Sequence, residues 1–171
     1  MTLFELPAAF IIDEDIPLDA QDLAYGLHKG FLKQATAIDI AVNEVNRGAS
    51  DPVLRELAGL LREEKERVSD LLMPRGEPHP ADNLAKSSRK WLYLQLKAAY
   101  SMQERLSDPL GVIEQLYADF DYPPTIASFV RYMPLAPGQE AGEAGLGKRW
   151  VEFLDREHAS LTRRADNPNR K

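Results

Sequence analysis

Trp91-Leu92-Tyr93-Leu94-Gln95-Leu96-Lys97-Ala98-Ala99-Tyr100 is apolar almost all the way round a helix. A helix without a wide polar face has to be enclosed by its neighbours, so this stretch marks the middle of a helical bundle. The pattern around it predicts one long helix over about 82–107. Three prolines and a glycine in residues 74–81 mark a surface loop or hinge before it.

Working outward, Asp108-Pro109 pairs a cap residue with proline at the first helical position, and Val112, Ile113, Leu116, Tyr117 and Phe120 form the next apolar stripe. Ser50-Asp51-Pro52 gives the same start signal. From there Val53, Leu54, Leu57, Leu60, Leu61, Val68, Leu71 and Leu72 predict a helix lasting to Met73-Pro74, with Arg62–Arg67 as its solvated face. Asp19 reads as the N-cap of a helix over about 20–28, with Asp22 in its first turn and Gly30 beyond its end. A helix over about 32–46 carries Ala35, Ile38, Val42 and Val45 on one stripe and stops near Gly48. Residues 8–19 begin apolar and turn acidic, which fits a short helix or a strand followed by a loop.

Pro123-Pro124 starts a further short helix to about 133, and Pro134, Pro137, Gly138, Gly142 and Gly145 then read as loop. The last helix, about 147–164, directs Trp150, Phe153, Leu154 and Leu161 inward. No strand-length alternation stands out. The expected fold is all-α: one domain over residues 1–165, a bundle of about six to seven helices with mainly antiparallel neighbours, and a frayed tail over 166–171. A chain of 171 residues buries roughly 70% of its unfolded surface.

Composition excludes several chemistries. Without cysteine there are no disulfides, zinc–thiolate sites or thiol nucleophiles. No run approaches the ~20 apolar residues of a membrane span, and the N-terminus has no secretory pattern, so a cytoplasmic location is expected without a membrane partner. A net charge of −6 argues against nucleic acid as a ligand, because neutralising phosphates needs a basic face. It suits a basic protein partner instead.

His28, His79 and His158 lack the spacing that puts two ligands on one helix face, so no metal is expected. His158 reads as a helix-surface residue, His28 as a cation at a helix C-terminus and His79 as exposed loop. Gly142-x-x-Gly145-x-Gly147-Lys148 lacks the Ser/Thr and preceding strand of a phosphate-cradling loop, and no cofactor motif is present.

The pair Asp119/Asp121 is the natural candidate for hydrolytic chemistry, one carboxyl needing a raised pKa. Against this, Asp121 reads as the cap of the helix begun by Pro123, with Asp119 exposed. Tyr117, Tyr122 and Tyr132 suit either a stacking surface or core packing. No complete catalytic constellation emerges, and the chain is not expected to be an enzyme.

Two segments together resemble a family of small uncharacterised bacterial proteins. Pro17-Leu18-Asp19-Ala20-Gln21-Asp22-Leu23-Ala24-Tyr25-Gly26 is similar to its opening Pro-Leu-x-x-x-Asp-Leu-x-x-Gly, and Tyr117-Ala118-Asp119-Phe120-Asp121-Tyr122-Pro123, with Tyr132-Met133-Pro134 after a short helix, resembles its second signature. The resemblance covers most of residues 15–134. Members look like immunity proteins of bacterial toxin systems, including contact-dependent growth inhibition. The resemblance therefore implies a protein that binds and blocks a cognate toxin domain, for example a basic nuclease. Candidate contact residues are Asp13, Glu14, Asp15, Asp119, Asp121 and Tyr122. The competing expectations are a small helical hydrolase using Asp119/Asp121 and a helical adaptor that binds another helix.

Overall fold

The computed structural model describes residues 4–73 and 81–163. Among these the chain is all-α, with eight α-helices, three short 3₁₀ turns and no strand. The helices are α1 (Ala8–Asp13), α2 (Ala20–Lys29), α3 (Gln34–Asn46), α4 (Pro52–Ala58), α5 (Arg67–Leu72), α6 (Ala81–Ser101), α7 (Pro109–Asp119) and α8 (Gly142–Arg163). The 3₁₀ turns cover Arg62–Glu64, Gln103–Arg105 and Pro124–Phe129. The anticipated loop over 74–81 falls almost entirely outside the described residues, as do the tail over 166–171 and His79.

The stretch Trp91–Tyr100 is the axis of the fold. Trp91, Leu92, Tyr93, Leu94, Leu96, Ala98 and Ala99 are all buried in one contiguous core, and α6 packs against α2, α7 and α8. Its polar exception, Gln95, is fully buried. The side-chain amide closes on the backbone of Phe4, accepting from its N–H (2.8 Å) and donating to its carbonyl (2.7 Å). Both halves of the amide are thereby satisfied, which a buried polar group requires.

α8 runs antiparallel to α6. Arg89 reaches Glu157 and Ser160, Tyr93 faces His158 and Tyr100 meets Trp150, so positions rise along one helix as they fall along the other.

α2 is held at both ends by local chemistry. Asp19 accepts from the Asp22 N–H (2.8 Å) while the Asp22 carboxylate accepts from the Asp19 N–H (2.9 Å), a reciprocal capping box. At the other end Gly30 takes φ 78°, a left-handed geometry that stops the helix without a side-chain penalty. Between them Gly26 lies directly against the Trp91 ring, leaving no room for a Cβ. Phe31, just past Gly30, stacks on Phe120 (5.7 Å, 16°) and tilts against Trp91 (5.4 Å).

Several elements differ from their sequence expectation. Residues 8–13 are helical, which resolves the helix-or-strand choice. The helix expected over 53–72 is two helices interrupted by a turn. No apolar residue falls between Leu61 and Val68 to carry a buried stripe across, and Leu61 itself is 65% exposed. The charges there close a turn: Glu64 accepts from the Leu61 N–H and pairs with Arg67, and Arg62 pairs with Asp39.

α3 buries Ala37, Ile38, Ile40, Ala41 and Glu44, whereas Val42 is 39% exposed. Its inward stripe is thus rotated from the one anticipated. α6 ends at Ser101, whose hydroxyl bonds back to the Lys97 carbonyl (2.9 Å), and a 3₁₀ turn follows where helix was expected to 107. The segment after Pro123 is 3₁₀ and ends at Phe129. α8 begins at Gly142 rather than near 147, and the Glu140 carbonyl lies so close to Gly145 that a Cβ there would meet it. Trp150, Phe153, Leu154 and Leu161 point inward, as their spacing predicts.

Candidate functional site

Two places concentrate chemistry: a charged cleft where α2, α6 and α8 meet, and the corner after α7.

The cleft has a volume of about 350 Å³ and is rimmed by Pro17, Asp19, Gln21, Asn83, Lys86 and Leu161. Its floor is Asp22, only 1% exposed. The Asp22 carboxylate accepts from the Ser87 hydroxyl (2.6 Å), the Lys90 ammonium (2.5 Å) and the Asp19 N–H, while its carbonyl accepts from the Trp91 indole (2.7 Å). Lys90 also donates to the Pro17 carbonyl (2.9 Å). Desolvation at the cleft rim, and then the nearby Asp22 charge, pushes the Asp19 carboxyl above its ordinary range. Beside this network Arg89 clasps Glu157 with two nitrogens and donates to Ser160 (2.9 Å), which ties α6 to α8. The hydrogen bond to Glu157 raises the Arg89 pKa.

Ser87-Ser88-Arg89-Lys90 has the Ser-x-x-Lys spacing that can place a nucleophile and an amine on one helical turn. Here the Lys90 Nζ and the Ser87 hydroxyl both donate to the Asp22 carboxylate and not to each other. The geometry of the pair is that of a packing joint. Sequence reasoning missed this hub because Asp22 reads fully as a first-turn residue. The available signal was Lys90, a cation entering the apolar run at Trp91 and needing a counter-charge.

The second place is built by the turn that ends α7. Asp121 (φ 61°) and Tyr122 (φ 55°) both take left-handed backbone, a conformation that costs a non-glycine residue energy. Asp121 does not cap the following segment: Pro123 occupies the cap position, and no side chain bonds to it there. The reversal is closed by the Tyr122 N–H on the Tyr117 carbonyl (2.8 Å).

This turn holds Tyr122 outward, 57% exposed, close to Tyr132, 60% exposed. Both rings rest on buried Tyr117, at 5.3 Å and 86° and at 6.2 Å and 56°. The Tyr132 phenol is raised in pKa by partial desolvation, then by Tyr117, Tyr122 and Glu114. The expectation that these tyrosines form either a surface or a core joint is met by both, one ring below and two above. Arg131 is clamped between Asp108 (2.9 Å) and Glu114 (2.7 Å). Asp119 is exposed and accepts from Gln115 (3.0 Å), and no hydrogen bond joins it to Asp121.

The remaining candidates lie at the end of α1. Asp13 is exposed, and Asp15 (φ 56°) pairs with Arg47 (2.7 Å). Glu14 is half-buried and accepts from the Tyr93 hydroxyl (2.5 Å), whose pKa rises through burial and this bond. His158 is more than the free helix-surface residue expected. It is half-buried against Tyr93 (5.9 Å), with Nε2 2.9 Å from the Glu14 carbonyl. His28 is exposed in the last turn of α2. Among the described residues no group of three or more His, Asp or Glu side chains could hold a metal ion, and no helix is long and apolar enough to cross a membrane.

No curated protein and no solved structure matches the chain. One family model does, described as "Uncharacterized protein conserved in bacteria (DUF2247)", over residues 8–158. That range exceeds the 15–134 of the sequence resemblance and takes in the glycine-rich loop and most of α8. With a match running from the first residue of α1 to His158 on α8, the chain belongs to this bacterial family.

Proposed function

We propose that the chain is a binding protein of the immunity type, which holds a cognate bacterial toxin domain and blocks it without turnover. The observation that carries this reading is the corner after α7, where two large aromatic side chains, Tyr122 and Tyr132, stand more than half exposed on an acidic segment. Tyrosine is among the residues enriched in the hot spots of protein interfaces, and exposed apolar surface of this kind marks interaction sites. The bulk acidity of the chain would steer a basic partner toward it. The signature Tyr-Ala-Asp-Phe-Asp-Tyr-Pro, which carries the resemblance to a bacterial family whose members look like immunity proteins, falls at this same corner.

A hydrolase built on Asp119 and Asp121 is less well supported. Both are exposed, neither lines the cleft, and among the described residues no histidine or lysine is hydrogen-bonded to either. Among the candidate contact residues, Asp119, Asp121 and Tyr122 remain available, together with Asp13. Glu14 and Asp15 already hold Tyr93 and Arg47.

The test is co-expression of the chain with the C-terminal domain of a toxin encoded beside it. Survival of the host and co-purification of the two chains are expected. Growth arrest with a well-expressed, folded chain, and no complex at micromolar concentration, would overturn the reading.

A further inference from the structure

The corner after α7 can be read more finely than as a generic patch. Residues 108–134 hold four carboxylates (Asp108, Glu114, Asp119 and Asp121) against one base, Arg131, a balance of −3 where the whole chain carries −6. Arg131 is already engaged by Asp108 and Glu114. Asp119 and Asp121 have no cationic partner among the described residues. They flank the C-terminal end of α7, where unpaired backbone carbonyls add further negative potential. Above that end stand Tyr122 and Tyr132, both resting on Tyr117. Ring faces are negative, so several tyrosines at steep mutual angles beside carboxylates attract a cation more than any other group.

We infer that Tyr122 and Tyr132, set on the buried Tyr117, form a seat for one cationic side chain of a protein partner, with the unpaired Asp119 and Asp121 of the same corner adding negative potential. This rests on the protein-binding reading above and names the chemistry that the partner must present. The left-handed turn at Asp121–Tyr122 has a purpose in this arrangement: it reverses the chain within two residues and brings Tyr122 back over Tyr117. An ordinary helical or extended continuation would carry that ring away. The occupant is a basic protein segment rather than an apolar helix, because the surface is a small aromatic platform within uncompensated negative charge and not a groove.

The probe is L-argininamide, titrated into the full chain in low salt and followed by the ring resonances of Tyr122 and Tyr132. The neutral isostere L-citrullinamide serves as control. Saturable shifts at these two rings are expected with argininamide, at least fivefold weaker with citrullinamide. Tyr132→Leu should weaken binding at least threefold, as should Asp119→Asn with Asp121→Asn, while Asp13→Asn leaves it unchanged. Tyr132 is exposed and outside the left-handed turn, so its variant is expected to fold, which an unchanged thermal midpoint would verify.

Equal binding of the two amides, or shifts spread over acidic residues without the tyrosines, would overturn the inference. A chain that seats argininamide here but protects against no toxin domain keeps the cation seat and loses the toxin reading. A chain that rescues growth undiminished by Tyr132→Leu does the reverse.

Discussion

The Lys90 ammonium stands 2.5 Å from the carboxylate of Asp22, and that carboxylate is almost wholly shielded from water. A charge so placed is tolerated only while its partner and its other donors remain. Lys90→Met leaves the Asp22 carboxylate with the Ser87 hydroxyl and the Asp19 N–H but no counter-charge. A loss of about 3 kcal/mol is expected in urea unfolding, at the low end for a broken buried pair because Lys90 itself is partly solvated. Adding Asp22→Asn to Lys90→Met should restore part of that loss. A double-mutant cycle with no coupling would show the pair to be incidental.

Gly26 offers a second test of the α2–α6 contact. In an open helix position Gly→Ala gains close to 1 kcal/mol from helix propensity. At Gly26 the new methyl would enter the Trp91 ring, so Gly26→Ala is expected to destabilise by about 1–3 kcal/mol, as overpacking does. Trp91→Leu should relieve the penalty in the double variant. A stabilised single variant would mean that the two helices separate freely.

The left-handed turn predicts opposite effects for two substitutions at one site. Asp121→Gly removes the conformational cost and should stabilise by roughly 0.5–1 kcal/mol, whereas Asp121→Val should lose about 1–2 kcal/mol. Thermal melts of the two variants beside the parent decide it. If both melt with the parent, the chain does not hold this backbone in solution.

Glu44 gives a pH dependence. Its carboxyl is raised above 4.5, chiefly by burial and only partly offset by Arg47 and a backbone N–H. A carboxyl raised on folding binds its proton more tightly in the folded chain. The parent therefore gains stability from this residue as pH falls from 7 toward 4.5 and loses it as pH rises. Glu44→Gln lacks that term, so its stability relative to the parent should be best near pH 7 and decline toward pH 5. Parallel stability–pH curves for the two proteins would contradict the assignment.

The sequence discloses most of this fold where structure is made locally. The Asp19 cap, the Gly30 stop and the two proline starts at Pro52 and Pro109 act within four residues, and each falls where its chemistry puts it. The Trp91–Tyr100 run discloses enclosure because no helix can leave such a surface bare. What fails is whatever depends on distant neighbours. The break after Ala58 reflects an absent stripe rather than a strong stop, and α8 starts within glycines that read as loop. The Asp22 hub joins positions 65 and 68 residues apart, which no periodicity reveals. At the corner, sequence shows the tyrosines and acids but not the left-handed backbone that sorts one ring below and two above.

Trp91 and Trp150 carry a practical consequence of the α6–α8 pairing. One indole N–H is bound to the Asp22 carbonyl, while the other is buried without a hydrogen-bond partner. They are the chain's two tryptophans, they sit on opposite members of the central helix pair, and their surroundings differ in polarity. Emission from Trp150 alone, in a Trp91→Phe chain, is expected to lie further to the blue than emission from Trp91 alone, in a Trp150→Phe chain. Two colours of intrinsic light thus separate loosening of the Asp22 hub from loosening of the α8 face, with no dye attached.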